Sequence, residues 1–315
     1  MSKIAFIYPG QGAQKAGMGA DFYENSEIAR YIFDQAGEEL DLDMKELCFE
    51  ENDRLDLTEY TQAAMVTTCL AMTRVAESKG LKADITAGLS LGEYPAIAAA
   101  GGMNDMDAIR LVRKRGILMQ NTVPAGEGAM CAVISMAAEE IEKVIEPIAD
   151  VSVANYNCPG QIVITGKTGA VEEAAAKLKE AGARRTIMLN VSGPFHSQML
   201  VPAGEKLAEE LEHTRFHELR IPYVTNVTAE KVTDIRETPG LLTTQISSPV
   251  RWMQSMERMI ADGVDTFVEI GPGKTLEGFL RKIDRSVKVF HISQWEDVDK
   301  VCTELADSGK MMEEA

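Results

Sequence analysis

The chain has 315 residues, 45% hydrophobic and 26% charged, which is ample for a globular core in one large unit or two ordinary ones. Its formal net charge of −17 argues against nucleic acid as a partner and against a charge-driven hold on acidic membranes. Cys48, Cys69, Cys131, Cys158 and Cys302 are widely spaced with no Cys-x-x-Cys, so neither a metal site nor a disulfide framework is expected, and a reducing cytoplasm fits.

Ile4 to Tyr8 is a continuous apolar run, the pattern of a central parallel strand covered on both faces. The first eight residues hold too short an apolar core for a signal peptide. The loop Pro9-Gly10-Gln11-Gly12-Ala13-Gln14 follows the strand. It lacks the Gly-Lys-Ser/Thr of a phosphate loop, and what remains is backbone able to approach something closely. Helical periodicity covers Glu24 to Glu39 and Gln62 to Lys79, with an acidic loop expected from Cys48 to Thr58.

Gly88-x-Ser90-x-Gly92 has the spacing of a nucleophile elbow, in which a serine on a sharp strand-to-helix turn projects its hydroxyl outward. Asp84 to Ala87 suits a short buried strand, and Tyr94 to Ala100 is small, apolar and helix-compatible. The Leu91 N–H, at the positive end of that helix, would face an oxyanion formed beside Ser90. The alternative is a tight glycine turn with an incidental serine. Thr86 to Met103 is the most apolar region, but Glu93 interrupts it, so no membrane span is expected.

Met106 to Gln120 reads as a helix with Ala108, Leu111, Val112, Leu118 and Met119 on one face. Arg115 lies on that same inward stripe, while Arg110, Arg113 and Lys114 fall elsewhere and read as a solvated face. An inward arginine needs an anionic partner, either an internal Asp or Glu or a carboxylate on a substrate.

Val123 to Gly128 is a composition break. Beyond it, strands and helices alternate as βαββαβ up to Arg184–Val191, the ferredoxin-like order. We therefore expect an α/β fold. A large subdomain with a parallel sheet (1–126 and 199–315), resembling α/β-hydrolases, carries an inserted ferredoxin-like subdomain (127–198). The inserted unit runs into Ser192-Gly193-Pro194-Phe195-His196-Ser197. Of four histidines, His213 and His217 flank a charged helix end and His291 sits in an apolar strand. His196, in a loop at the subdomain junction, is the one placed to serve a serine nucleophile as base. Pro222 to Asn226 and Thr266 to Ile270 read as further strands, Leu241 to Trp252 as helix end, loop and helix start, and the tail from Asp307 as frayed. Gly273-Lys274-Thr275 lacks the earlier glycine of a phosphate loop.

Taken together, Pro9 to Gln14, Gly88-Leu89-Ser90-Leu91-Gly92-Glu93, Arg115-Gly116, Asn155 to Gln161, Phe195-His196-Ser197, Gln245-x-x-x-Pro249-Val250-x-Trp252 and Glu269-x-Gly271-Pro272-Gly273 resemble the malonyl-CoA:acyl carrier protein transacylases over nearly the whole chain. The resemblance implies a ping-pong acyl transfer through a malonyl-serine intermediate. Ser90 would be the nucleophile and His196 the base, with the Gln245 backbone carbonyl orienting the imidazole. The Gln11 and Leu91 N–H groups would form the oxyanion hole, and Arg115 would hold the malonyl carboxylate. It implies malonyl-CoA as substrate, phosphopantetheine-bearing acyl carrier protein as partner, no tightly bound cofactor or metal, and a cytoplasmic monomer serving fatty acid or polyketide synthesis. Where that family usually has histidine before the nucleophile, this chain has Leu89. Arg281, Lys282 and Arg285 are the candidate basic area for an acidic carrier. Rival readings are a serine thioesterase or hydrolase, a transferase of another acyl-CoA, and a non-catalytic carrier-binding scaffold.

Overall fold

The computed structural model describes residues 3–307, so the tail from 308 lies outside the described residues. Among the described residues, ten strands make two sheets. In chain order they are β1 (Lys3–Tyr8), β2 (Ile85–Gly88), β3 (Gly128–Ile134), β4 (Val151–Cys158), β5 (Gln161–Lys167), β6 (Arg185–Met188), β7 (Tyr223–Val224), β8 (Lys231–Val232), β9 (Val264–Ile270) and β10 (Lys288–Ile292).

The larger sheet has the order β10-β9-β1-β2-β7-β8 and is parallel except for the β7–β8 edge ribbon. In β1, Ile4, Phe6 and Tyr8 enter one core cluster while Ala5 and Ile7 enter another, so the strand is apolar on both sides because both sides are covered. One cover includes the helices Thr58–Ser78 and Asp105–Thr122; the other is built on Trp252–Ala261 and Thr275–Ile283. The result is an α/β fold in which the loops after β1, β2, β7 and β9 all leave the carboxyl ends of parallel strands, where clefts form in open α/β sheets.

The smaller sheet is antiparallel, ordered β4-β5-β3-β6, with the helices Ala138–Ile145 and Thr168–Glu180 closing its own core. This is the ferredoxin-like arrangement. It docks through β4, where the Tyr156 N–H donates to the Val250 carbonyl (2.9 Å) and the Val250 N–H to that of Ala154 (2.8 Å). That contact braces the loop carrying Gln245 and Ser248.

Several expected elements differ locally. Glu24–Glu39 is broken at Ser26, whose hydroxyl accepts from the Ala29 N–H and caps the helix Glu27–Leu40. Cys48 is not in a loop but in the helix Met44–Phe49, capped by Asp43; six residues are too few for periodicity to register. Arg113 is not solvated: it pairs with Glu59 at 2.7 Å and stacks over Tyr60. Pro222–Asn226 contributes only the two-residue β7 to the sheet, because Asn226 turns away into the site.

The elbow is the tightest passage. A Cβ on Gly88 would fall 1.8 Å from the Gly92 carbonyl oxygen, and one on Gly92 would fall 2.4 Å from that of Tyr8. Gly88→Ala should therefore destabilise the fold by about 3 kcal/mol or more, read as a lowered midpoint in denaturant unfolding, whereas Gly169→Ala, with open space at that point, should cost under about 1 kcal/mol.

Candidate active site

Ser90 lies one residue beyond β2, after Leu89, and has φ 55°, and His196 has φ 58°; both are non-glycine residues held in the left-handed region. Such strain persists only where surrounding bonds fix it. For Ser90 the fixing group is Asn226. Its Oδ1 accepts from the Ser90 N–H (2.7 Å) and its Nδ2 donates to the Gly88 carbonyl (2.7 Å). The turn is thus clamped at both ends from the adjacent strand.

The loop after β6 delivers His196. Its Nε2 lies 2.8 Å from Ser90 Oγ. Its Nδ1 faces two carbonyls, of Gln245 (2.9 Å) and Ser248 (3.1 Å). Carbonyls only accept, so Nδ1 carries the proton and Nε2 presents its lone pair to the hydroxyl. Burial, and then the neighbouring Arg115 charge, bring His196 down from 6.5 to about 4, keeping it neutral. The dyad has no carboxylate behind the imidazole; main-chain carbonyls hold its orientation.

Arg115 projects from the helix Asp105–Thr122 and is fully buried. Nη1 donates to Gln62 Oε1 (2.7 Å), and Nη2 to Gln245 Oε1 (3.0 Å) and to Ser90 Oγ (3.1 Å). Nε is buried without a partner, and the Tyr94 ring lies beneath the guanidinium at 5.6 Å. Among the described residues no carboxylate forms an ion pair with it. The buried acid Glu93 acts on it only at a distance, through the Gln245 amide that bonds both, so the direct contacts of this guanidinium are all to neutral oxygens.

Leu91 is the middle residue of the short turn Ser90–Gly92 that leads into the helix Glu93–Ala99, and Gln11 lies in the loop after β1. The two loops pack closely, since a Cβ on Gly10 would lie 2.6 Å from Leu89 Cδ2. Gln11 Nε2 donates to Thr58 Oγ1 (3.1 Å), which turns its side chain toward the helix Thr58–Ser78. Leu89 packs against the core that includes Trp252 and Leu276, so an apolar side chain occupies the position before the nucleophile.

Sequence reasoning missed Gln62, Asn226, Ser248, the Gln245 side chain and Glu93. Glu93 is 0% exposed. Burial pushes its carboxyl up to about 7, while hydrogen bonding from Gln245 and the Arg115 charge pull the other way. A lone acid in the most apolar stretch was a visible signal; Gln62 and Asn226 gave none beyond a polar residue in an apolar setting.

The acyl transferase domain family matches residues 5–298. A malonyl CoA-acyl carrier protein transacylase of Bacillus subtilis (strain 168) is 44% identical over 304 residues, covering 95% of this chain and 96% of that one. This chain belongs to the malonyl-CoA:acyl carrier protein transacylase family. It is an acyltransferase. The family's solved structures agree with its fold. The transacylase of Clostridium perfringens matches with a TM-score of 0.94 at 42% identity, covering 98% of both chains. A malonyl-transacylase in complex with a type II PKS acyl-carrier protein matches at 0.93 and 35% identity, covering 96% of this chain and 100% of that one. Among the described residues no helix is long and apolar enough to cross a membrane, and no cluster of His, Cys, Asp and Glu could hold a metal.

The lowered histidine pKa sets an expected pH profile. For the expected role of His196 as base the neutral imidazole is the competent form, and lowering its pKa extends that form downward. The rate of Ser90 acylation should hold through pH 6 and fall only as pH approaches about 4; a limb at 6.5 would show an unperturbed histidine.

Proposed function

We propose that this chain is a malonyl-CoA:acyl carrier protein S-malonyltransferase working by a ping-pong mechanism. The observation that carries the reading is one oxygen: Ser90 Oγ lies 2.8 Å from His196 Nε2 and 3.1 Å from Arg115 Nη2, on a guanidinium that no carboxylate of the described residues contacts directly. A hydrolase has no use for that charge, and a neutral acyl group would leave it unpaired.

In the first half-reaction the Ser90 hydroxyl passes its proton to His196 Nε2 as Oγ attacks the malonyl thioester carbonyl. The Gln11 and Leu91 N–H groups receive the oxyanion. The C–S bond then breaks, CoA leaves as the thiol with the proton from His196, and malonyl-serine remains. Arg115 turns toward the free carboxylate of the acyl group and grips it. In the second half-reaction His196 takes the proton of the phosphopantetheine thiol of acyl carrier protein, whose sulfur attacks the ester. Ser90 leaves and recovers its proton, and malonyl-carrier protein departs to fatty acid or polyketide synthesis. No tightly bound cofactor enters either step. The unit that delivers the base, residues 127–198, acts as a subdomain inserted into the one that holds the nucleophile.

Carrier protein is expected to dock at a cleft of about 540 Å³ lined by Arg281, Lys282, Arg285 and Asp284 together with Val287 and Val289. Arg281 is paired with Glu277, and Lys282 Nζ lies 3.3 Å from Gln161 Oε1, which ties the area to the small sheet. Replacing Arg281, Lys282 and Arg285 with Gln should raise the KM for carrier protein about tenfold while leaving loading from malonyl-CoA unchanged; an unchanged KM would remove this face from the reading.

Intact-protein mass spectrometry with malonyl-CoA tests the chemistry. Wild type should gain one malonyl group on Ser90, and Ser90→Ala should gain none. Arg115→Ala should lose about a hundredfold or more in malonyl loading while gaining relative tolerance of acetyl-CoA; equal loss of both would contradict the carboxylate role.

A further inference from the structure

Glu93 is the first residue of the helix behind the elbow and touches neither Ser90 Oγ nor His196. Its Oε2 accepts two hydrogen bonds, from Gln245 Nε2 (2.7 Å) and from the Asn226 N–H (3.1 Å). Gln245 Nε2 also donates to the Ser90 carbonyl (2.9 Å). The other end of the same amide, Oε1, accepts from Arg115 Nη2 (3.0 Å). The amide therefore has a sense. Turned over, it would set its N–H groups against the guanidinium donors and its oxygen against a carboxylate and a carbonyl. Burial with unmatched groups makes each such contact costly.

We propose that Glu93 is a positioning residue for acyl selection: its Oε2 fixes the Gln245 amide with Oε1 toward Arg115, and so holds the guanidinium against Ser90 where a malonyl carboxylate will be met. The inference rests on the transferase reading above. What matters is the acceptor at Oε2 and its reach rather than the charge. Oε1 of Glu93 is buried and takes neither of these two bonds, the Thr225 side chain being the other group that bears on this carboxyl, so a proton on Oε1 leaves Oε2 accepting. Burial also raises this carboxyl to about 7, so its ionised form costs the fold stability at higher pH.

Two variants separate reach from charge. Glu93→Gln keeps an oxygen acceptor at the same length and removes the charge; Glu93→Asp keeps the charge and falls short by one methylene. Gln245→Met removes the amide but keeps the main-chain carbonyl that faces His196. The readout is the ratio of kcat/KM for Ser90 loading from malonyl-CoA to that from acetyl-CoA, which a general loss of folded protein does not move, with thermal melts alongside. Glu93→Gln should stay within threefold of the wild-type ratio and melt no lower than wild type at pH 8. Glu93→Asp and Gln245→Met should each lower the ratio tenfold or more, chiefly through a higher KM for malonyl-CoA. An unchanged ratio in Glu93→Asp or in Gln245→Met, or a loss in Glu93→Gln as large as in Glu93→Asp, overturns the proposal. Absence of malonyl loading in wild type would instead bring down the transferase reading itself.

Discussion

A guanidinium buried with no carboxylate in direct contact, the buried acid Glu93 reaching it only through the Gln245 amide, is the constraint on which the rest of this structure depends. Arg115 is held by two amide oxygens and a hydroxyl, from Gln62, Gln245 and Ser90, and its Nε has nothing. Neutral acceptors tolerate a guanidinium but do not cancel it, and burial pushes its pKa down from the ordinary arginine value. The same charge acts on its neighbours. It disfavours protonation of His196 and lends a donor to Ser90 Oγ, so one cation keeps the imidazole neutral and favours negative charge on that oxygen.

The fold assembles these groups from distant parts of the chain at the carboxyl edge of one sheet. Ser90 leaves β2, the loop with Gln11 leaves β1, and Asn226 leaves β7, each at the end of a parallel strand. The base arrives by another route, from the loop after the last strand of the small sheet. That sheet also grips Val250 through Tyr156 and Ala154, so the body that brings His196 steadies the carbonyls of Gln245 and Ser248 that orient it. Two residues held in the left-handed region, Ser90 and His196, meet there at 2.8 Å.

Much of this was legible in the residues. The unbroken apolar run of β1 and the alternation of strands and helices from 128 onward follow from burial on both faces and from period, so the α/β layers and the βαββαβ order could be read directly. The elbow showed in its glycines because backbone contact at Gly88 and Gly92 leaves no room for a Cβ. Arg115 showed as a charge on an apolar stripe. What stayed hidden were the contacts made by side chains with no period of their own. Gln62, Asn226 and the Gln245 amide act across sequence separations of 53, 136 and 130 residues, to Arg115, Ser90 and Arg115 respectively. No local pattern records such a pairing. Arg113 misled for a related reason: its helix face looks outward until Glu59 and Tyr60 fold over it.

The central claim is that the vacant partner of Arg115 is the acid end of the acyl group. A crystal structure of the protein malonylated on Ser90 measures this directly. The account requires both carboxylate oxygens within hydrogen-bond reach of the guanidinium, in a two-pronged contact that takes up its unpartnered Nε. A malonyl carboxylate turned to solvent, with Arg115 Nε still unpartnered, would contradict it.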